Sequence, residues 1–186
     1  MMNGLKNKKH DNGVNGAVKE KIHRTEGGKM GIEIRTSLEG IDWERVSSLL
    51  ACFGLSHEDA ATQKLIFERS YAAAFAYDGD KLIGCGRALS DGIVQAALYN
   101  IALEETYHGK QTGRALINSL LEQVKGCTVI LYTHPKTVGL YEKFGFRRQK
   151  TGMVKLSKPA EEAKWMEDTG FLLAEHYRFG DNEYEK

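Results

Sequence analysis

Between Tyr107 and Leu121 the chain reads YHGKQTGRALINSLL, a glycine-punctuated loop running straight into an amphipathic helix. Gly109 and Gly113 allow a tight turn there, so the amides of Lys110 to Arg114 can converge on one spot. The helix N-terminus adds roughly half a positive charge, and Lys110 and Arg114 add full charges at the rim. A pyrophosphate is the natural occupant of such a place, although a plainly capped helix shows the same residues. Further on, Leu140-Tyr141-Glu142-Lys143-Phe144-Gly145-Phe146 ends another helix and carries one phenol. By spacing alone Tyr141 reads as a core aromatic, because Val138, Tyr141 and Phe144 share one helical face. Two acidic groups, Glu104 and Asp91, lie near the ends of the preceding strand, and each reads first as a solvated surface carboxylate.

The elements that must position these groups follow from periodicity. Ile32 and Ile34 alternate with charged neighbours as a first strand. Trp43, Val46, Leu49, Leu50 and Phe53 form one helical stripe within Asp42–Phe53, with Gly54 as its C-terminal cap. Ser56 then caps a second helix from about His57 to Ser70. Tyr71–Tyr77 and Lys81–Leu89 are strands joined by the turn Asp78-Gly79-Asp80, and Asp91-Gly92 turns into a third strand over Ile93–Leu103. After the glycine loop, Leu116, Ile117, Leu120, Leu121 and Val124 make a helical stripe that Gly126 ends. Thr128–Tyr132 reads as a short strand buried on both faces. Pro135 opens a helix that Gly145 closes, and a hairpin follows: Phe146–Gln149, a turn at Lys150-Thr151-Gly152, and Met153–Leu156.

Bulk properties narrow the classes. The 186 residues are 41% apolar and 27% charged with a formal net charge of +1, the profile of an ordinary globular chain, so neither nucleic acid nor a membrane is expected as partner. No apolar run approaches the roughly 20 residues of a membrane span, and the N-terminus lacks the apolar core of a signal peptide. Cys52, Cys85 and Cys127 stand singly in apolar stretches, which suits reduced, buried thiols of a cytoplasmic protein and neither a disulfide framework nor a metal site. Residues 1–30 hold seven Lys/Arg against three Asp/Glu and no sustained apolar period, so a flexible basic tail is expected, with nucleic-acid docking as the alternative. Residues 157–186 form an appendage with a helix around Glu161–Glu167 and an aromatic patch over Phe171–Phe179. That patch packs on its own domain or makes a homodimer contact.

Taken together, residues 31 to about 156 resemble the GNAT superfamily of N-acetyltransferases. The family's phosphate signature, Gln/Arg-x-x-Gly-x-Gly/Ala, falls on His108, Gly109, Lys110, Gln111, Thr112 and Gly113, and the distant LYEKFGF supplies the family's tyrosine as Tyr141. His108 and Gln111 depart from the signature, and His134-Pro135 stand where many members carry an asparagine. The stretch Gly86–Gly92, GRALSDG, is similar to plastid and bacterial members that acetylate arylalkylamines.

The resemblance implies a mixed α+β acyltransferase fold. Its central sheet would be twisted and mostly antiparallel, with about six to seven strands, a splayed centre and four flanking helices. It implies acetyl-CoA as cosubstrate, with no metal, and an acetyl group passed directly to a primary amine, either a small arylalkylamine-like molecule or a lysine side chain. Gly109, Lys110, Gln111, Thr112, Gly113 and Arg114 would hold the pyrophosphate. The backbone of Ile101, Ala102 and Leu103 would pair with the amides of the pantetheine arm as an added strand would. Tyr141 would protonate the leaving thiolate, and Glu104, or Asp91 across the hairpin, would relay a proton from the amine through water. A backbone N–H near Leu103 would face the developing oxyanion. Phe53 and Tyr99 would line the acceptor site. An acetyl-CoA-binding sensor or partner-binding module with little activity is the alternative, which the changes at Gln111 and His134 favour and Tyr141 disfavours.

Overall fold

A computed structural model of the chain describes residues 31–149 and 152–173. The basic segment 1–30, the turn residues Lys150 and Thr151, and the aromatic patch beyond Leu173 lie outside the described residues. Two compact units are present, the first ending at Ile130 and the second beginning at Leu131.

The first unit runs β1 (Ile32–Arg35), α1 (Trp43–Cys52), α2 (Ala60–Glu68), β2 (Ala72–Asp78), β3 (Lys81–Ser90), β4 (Gln95–Leu103), a 3₁₀ turn (Glu105–Tyr107), α3 (Gln111–Gln123) and β5 (Thr128–Ile130). Its sheet has the order β1-β2-β3-β4-β5, antiparallel throughout except for the parallel β4–β5 pair. α1 forms as its apolar stripe requires, capped by Asp42, whose carboxylate accepts the Arg45 N–H at 2.9 Å. Successive β2 side chains leave opposite faces of the sheet. Phe75 meets Phe67 of α2 (ring centroids 5.4 Å) and Trp43 of α1 (6.0 Å) in a buried aromatic cluster. On the other face Gly86 permits close approach of α3, since a Cβ there would lie 2.8 Å from Leu120 Cδ1.

Several expectations change. Asp59, not Ser56, caps α2: its carboxylate accepts the Thr62 N–H at 2.7 Å. The Ser56 hydroxyl instead accepts from the side chain of the buried Gln63, also at 2.7 Å. β4 starts at Gln95 because one Asp91 carboxylate oxygen accepts the N–H groups of Ile93, Val94 and Gln95, extending the turn. β5 spans only three residues, and Ile130 is 49% exposed rather than buried on both faces. Cys52 is exposed, and of the three thiols only Cys85 is fully buried.

The second unit contains a 3₁₀ turn (Pro135–Thr137), α4 (Val138–Glu142) and α5 (Pro159–Asp168). Phe171 stacks on Trp165 (5.6 Å) and meets Tyr132 and His134 edge-on. The expected closing hairpin is absent among the described residues: 146–149 and 152–156 carry no strand, and Met153 is 99% exposed. A two-stranded ribbon without a sheet or helix to cover it is marginal. The α+β class therefore holds, with five strands and five α-helices among the described residues in place of six to seven and four.

Candidate active site

The middle of β4 is irregular where an exposed strand edge is most useful. Cys85 pairs with Ala102 and Arg87 with Tyr99, so Asn100 and Ile101 both stand opposite Gly86 as a β-bulge. Asn100 has φ +54 and is the one non-glycine with positive φ among the described residues. Its amide holds that conformation: Oδ1 accepts from Arg87 Nε at 2.6 Å and Nδ2 donates to the Leu55 carbonyl at 3.5 Å. Burial alternates at Ala96 and Leu98 before the bulge, whereas Ala102 and Leu103 are both buried after it. Pairing with β5 ends at Ala97, leaving the backbone of Ile101 to Leu103 beyond the reach of that ladder. Sequence reasoning missed the bulge, although an asparagine interrupting an apolar strand signals it.

Beyond β4 the chain turns through Glu105–Tyr107 and reaches Gly109 at φ +71, a conformation that glycine adopts without strain. Lys110 is the extended N-cap of α3, and no side chain caps this end. No acidic residue occupies the first turn either. The amides of Gln111, Thr112 and Gly113 therefore lack both an intrahelical partner and a competing carboxylate. Thr112 is buried, and a Cβ on Gly113 would touch Leu103 Cδ2 at 3.4 Å, so the helix start lies against the end of β4. Tyr107 donates to Asp78 Oδ2 at 2.7 Å, and Lys110 Nζ lies 5.1 Å from the Tyr107 ring centroid. This arrangement can hold a doubly charged anion.

The α1–α2 bend supplies a wall beside these groups. Phe53 stacks with His108 (6.2 Å, 28° between planes), and His108 Nε2 lies 2.7 Å from the Leu103 carbonyl oxygen. The Arg87 guanidinium lies 5.1 Å from the Tyr99 ring centroid and also reaches Ser70 Oγ at 3.3 Å. Arg87 was not foreseen, because its neighbours come from β4 and from the turn after α2. Glu104 has its carboxylate shared between Arg45 of α1 and Lys81 of β3, the latter at 2.7 Å. Asp91 is spent on its turn, and the three backbone N–H groups it accepts lower its pKa below the usual carboxylate range.

In the second unit, Tyr141 lies on α4 against Phe146, edge-on at 5.9 Å. Burial raises the pKa of its phenol, an effect partly offset by a hydrogen bond with the Thr133 side chain. His134 caps the 3₁₀ turn through Nδ1, which accepts the Lys136 N–H at 3.1 Å. The expected residues thus divide: Phe53, Tyr99, Ile101–Leu103, Glu104 and Gly109–Arg114 belong to the first unit, Tyr141 to the second.

Residues 69–148 match the model of the acetyltransferase (GNAT) domain. Over that stretch the chain is similar to GNAT acetyltransferases. It is 26% identical over 121 residues to the GCN5-related N-acetyltransferase 1, chloroplastic, of Arabidopsis thaliana, covering 62% of this chain and 61% of that protein. It is 24% identical over 123 residues to the serotonin N-acetyltransferase 2, chloroplastic, of japonica rice, covering 62% of each. The chain thus spans about six-tenths of the length of these curated relatives. A GNAT-family acetyltransferase from Streptococcus pneumoniae shares the fold, with a TM-score of 0.60, 24% identity, and coverage of 69% of this chain and 99% of that one.

Against the GNAT signature, the two departures have local solutions. Gln111 is the first residue of α3 with its side chain exposed, and Gly109 provides the positive φ. His134 makes a capping hydrogen bond of the kind an asparagine makes.

Proposed function

We propose that this protein transfers the acetyl group of acetyl-CoA to a primary amine, either a small arylalkylamine-like molecule or a lysine side chain. The observation that carries this reading is the uncapped, acid-free N-terminus of α3, placed against the end of β4 beyond the point where pairing with β5 stops at Ala97. The fit to the cosubstrate is chemical. A pyrophosphate wants converging backbone donors, and Gln111 to Arg114 provide them with Lys110 at the rim. Pantetheine is a chain of amides, and the Ile101–Leu103 backbone offers it a strand edge. The cosubstrate supplies an activated acyl carbon; the chain's own residues bind, orient and move protons.

Phe53 and Tyr99 are the acceptor walls in this reading, and, being aromatic rather than acidic, they suit an arylalkylamine better than a polycation. The naming of the rice relative as a serotonin N-acetyltransferase supports the same class. Tyr141 is the proton donor for the thiolate: a phenol whose pKa burial raises stays protonated across the physiological range. Glu104, with two cations on its carboxylate, anchors the end of β4 to α1 and β3. The test is a thiol-release assay with acetyl-CoA and tryptamine, 2-phenylethylamine and Nα-acetyl-lysine amide. Release on at least one amine, with the acetylated product seen by mass spectrometry, is the expected result. CoA binding without release on any of them would instead make the chain a binding module.

A further inference from the structure

The proposed pyrophosphate donors sit at the start of α3, yet the segment that leads to them, 104–110, holds only a single 3₁₀ turn. Within it the Tyr107 N–H donates to the Glu104 carbonyl and the His108 N–H to the Glu105 carbonyl, both at 2.9 Å. Gly109 follows at φ +71, and no atom lies within 4 Å of the point where a side chain would begin. A joint with so few contacts opens easily unless side chains hold it. The hold comes from the end of the β2–β3 hairpin, where Asp78 and Lys81 face each other. Lys81 reaches the Glu104 carboxylate at 2.7 Å, and Arg45 of α1 shares it. Asp78 Oδ2 accepts the Tyr107 hydroxyl at 2.7 Å. One hairpin end therefore grips both ends of the 3₁₀ turn.

We propose that Tyr107, held by Asp78, is a positioning residue that sets the first turn of α3 and the Lys110 ammonium for the cosubstrate's pyrophosphate. The proposal rests on the cosubstrate half of the function proposed above. Every part of it lies in the first unit. Two bonds of different kinds meet on the one side chain. Its hydroxyl donates to a carboxylate, a charge-assisted hydrogen bond that ties the loop to β2. Its ring lies 5.1 Å from Lys110 Nζ, so the face of the phenol seats the cation that caps α3. Backbone amides grip a diphosphate well only when they already converge on it, because a loop that must first be ordered spends binding energy on its own entropy. Tyr107 acts by removing that cost. Glu104 holds the other end of the turn, but it carries no link to a group on α3.

A set of variants of the full chain, titrated with CoA by calorimetry and with pantetheine by amide shifts, tests the assignment. Tyr107→Phe keeps the ring under Lys110 and loses only the hydroxyl. It should weaken CoA roughly five- to tenfold, the size of effect expected from a residue that acts on a site without touching the ligand, and leave pantetheine within about twofold. Tyr107→Leu should weaken CoA further, since Lys110 loses its seat as well. Asp78→Ala should match Tyr107→Phe, and the double variant should fall no further than either single one. Asp78→Asn, which keeps an acceptor oxygen, should recover most of the affinity. In turnover, KM for acetyl-CoA should rise in Tyr107→Phe while kcat stays within about twofold. Lowered Tm with unchanged CoA affinity overturns the assignment, as does equal weakening of CoA and pantetheine. Additive losses in the double variant overturn it too, because they put Tyr107 on the ligand itself. Each of these leaves the transferase reading intact. A wild type that binds CoA but acetylates no amine overturns the transferase reading, and the CoA titrations then decide the role of Tyr107. A wild type that binds no CoA overturns both.

Discussion

Replacing Asn100 tests whether the β4 bulge is a built feature that shapes the cosubstrate edge. Asn100→Ala removes the acceptor 2.6 Å from Arg87 Nε and places an alanine at φ +54. The lost charge-assisted hydrogen bond is worth about 1.5–3 kcal/mol, and the left-handed conformation costs alanine roughly 1–2 kcal/mol. Together they give a destabilisation of about 3–5 kcal/mol. Asn100→Gly loses the same hydrogen bond without the steric cost, but glycine adds roughly 0.5–1 kcal/mol of unfolded-state entropy. The glycine variant should therefore be more stable than the alanine variant by about 0.75 kcal/mol, the centre of the difference, or roughly 1.5–3 °C in Tm at the usual scaling for a domain of this size. Urea unfolding with m-values measures the difference, and CoA titration of both variants should show weakened binding of about tenfold, near 1.4 kcal/mol. An alanine variant as stable as the glycine variant would show that position 100 is not left-handed, and the bulge argument would fail.

Other perturbations probe the remaining parts. Tyr141→Phe should lower kcat at least about tenfold and leave CoA affinity unchanged if, as proposed, it loses only a proton donor; equal loss of both in titration and kinetics would make the residue structural. Burial pushes the Cys85 thiol up to about 12, from about 8.5 in an unfolded chain. The raised folded value means stability is fully present below pH 8.5 and is lost as pH rises toward 12, by about 1.4 kcal/mol per unit. Denaturant titrations between pH 8.5 and 10 should show that slope in wild type and not in Cys85→Ala. Gly86→Ala should cost about 1–3 kcal/mol by pushing on Leu120, whose Cδ1 would lie 2.8 Å from the new Cβ; a variant of wild-type Tm would refute the close approach of α3.

What the sequence made legible was whatever is decided locally. The stripe of Trp43, Val46, Leu49 and Leu50 specifies α1 by spacing, and Asp78-Gly79-Asp80 specifies its hairpin by turn chemistry, with Asp78 facing Lys81 across it. The loop from His108 to Arg114 was legible because glycines and a helix start are themselves the device. Long-range partners were not legible. Glu104 looked free to relay a proton until Arg45 and Lys81, from α1 and β3, were found on its carboxylate. Ser56 and Asp59 are both good caps, and the choice between them rested on where the buried Gln63 needed a partner. The bulge at Asn100 hid because β-propensity and alternation are read over a whole strand, while a one-residue insertion changes the parity only midway.

Amide ¹H–¹⁵N shifts of the full chain, titrated in parallel with CoA and with pantetheine, test the central claim most directly. CoA should move the amides of Gln111, Thr112, Gly113 and Arg114 together with those of Ile101 to Leu103. Pantetheine, which lacks the pyrophosphate, should move only the strand amides. Saturating CoA that leaves residues 111–114 unshifted would contradict the account.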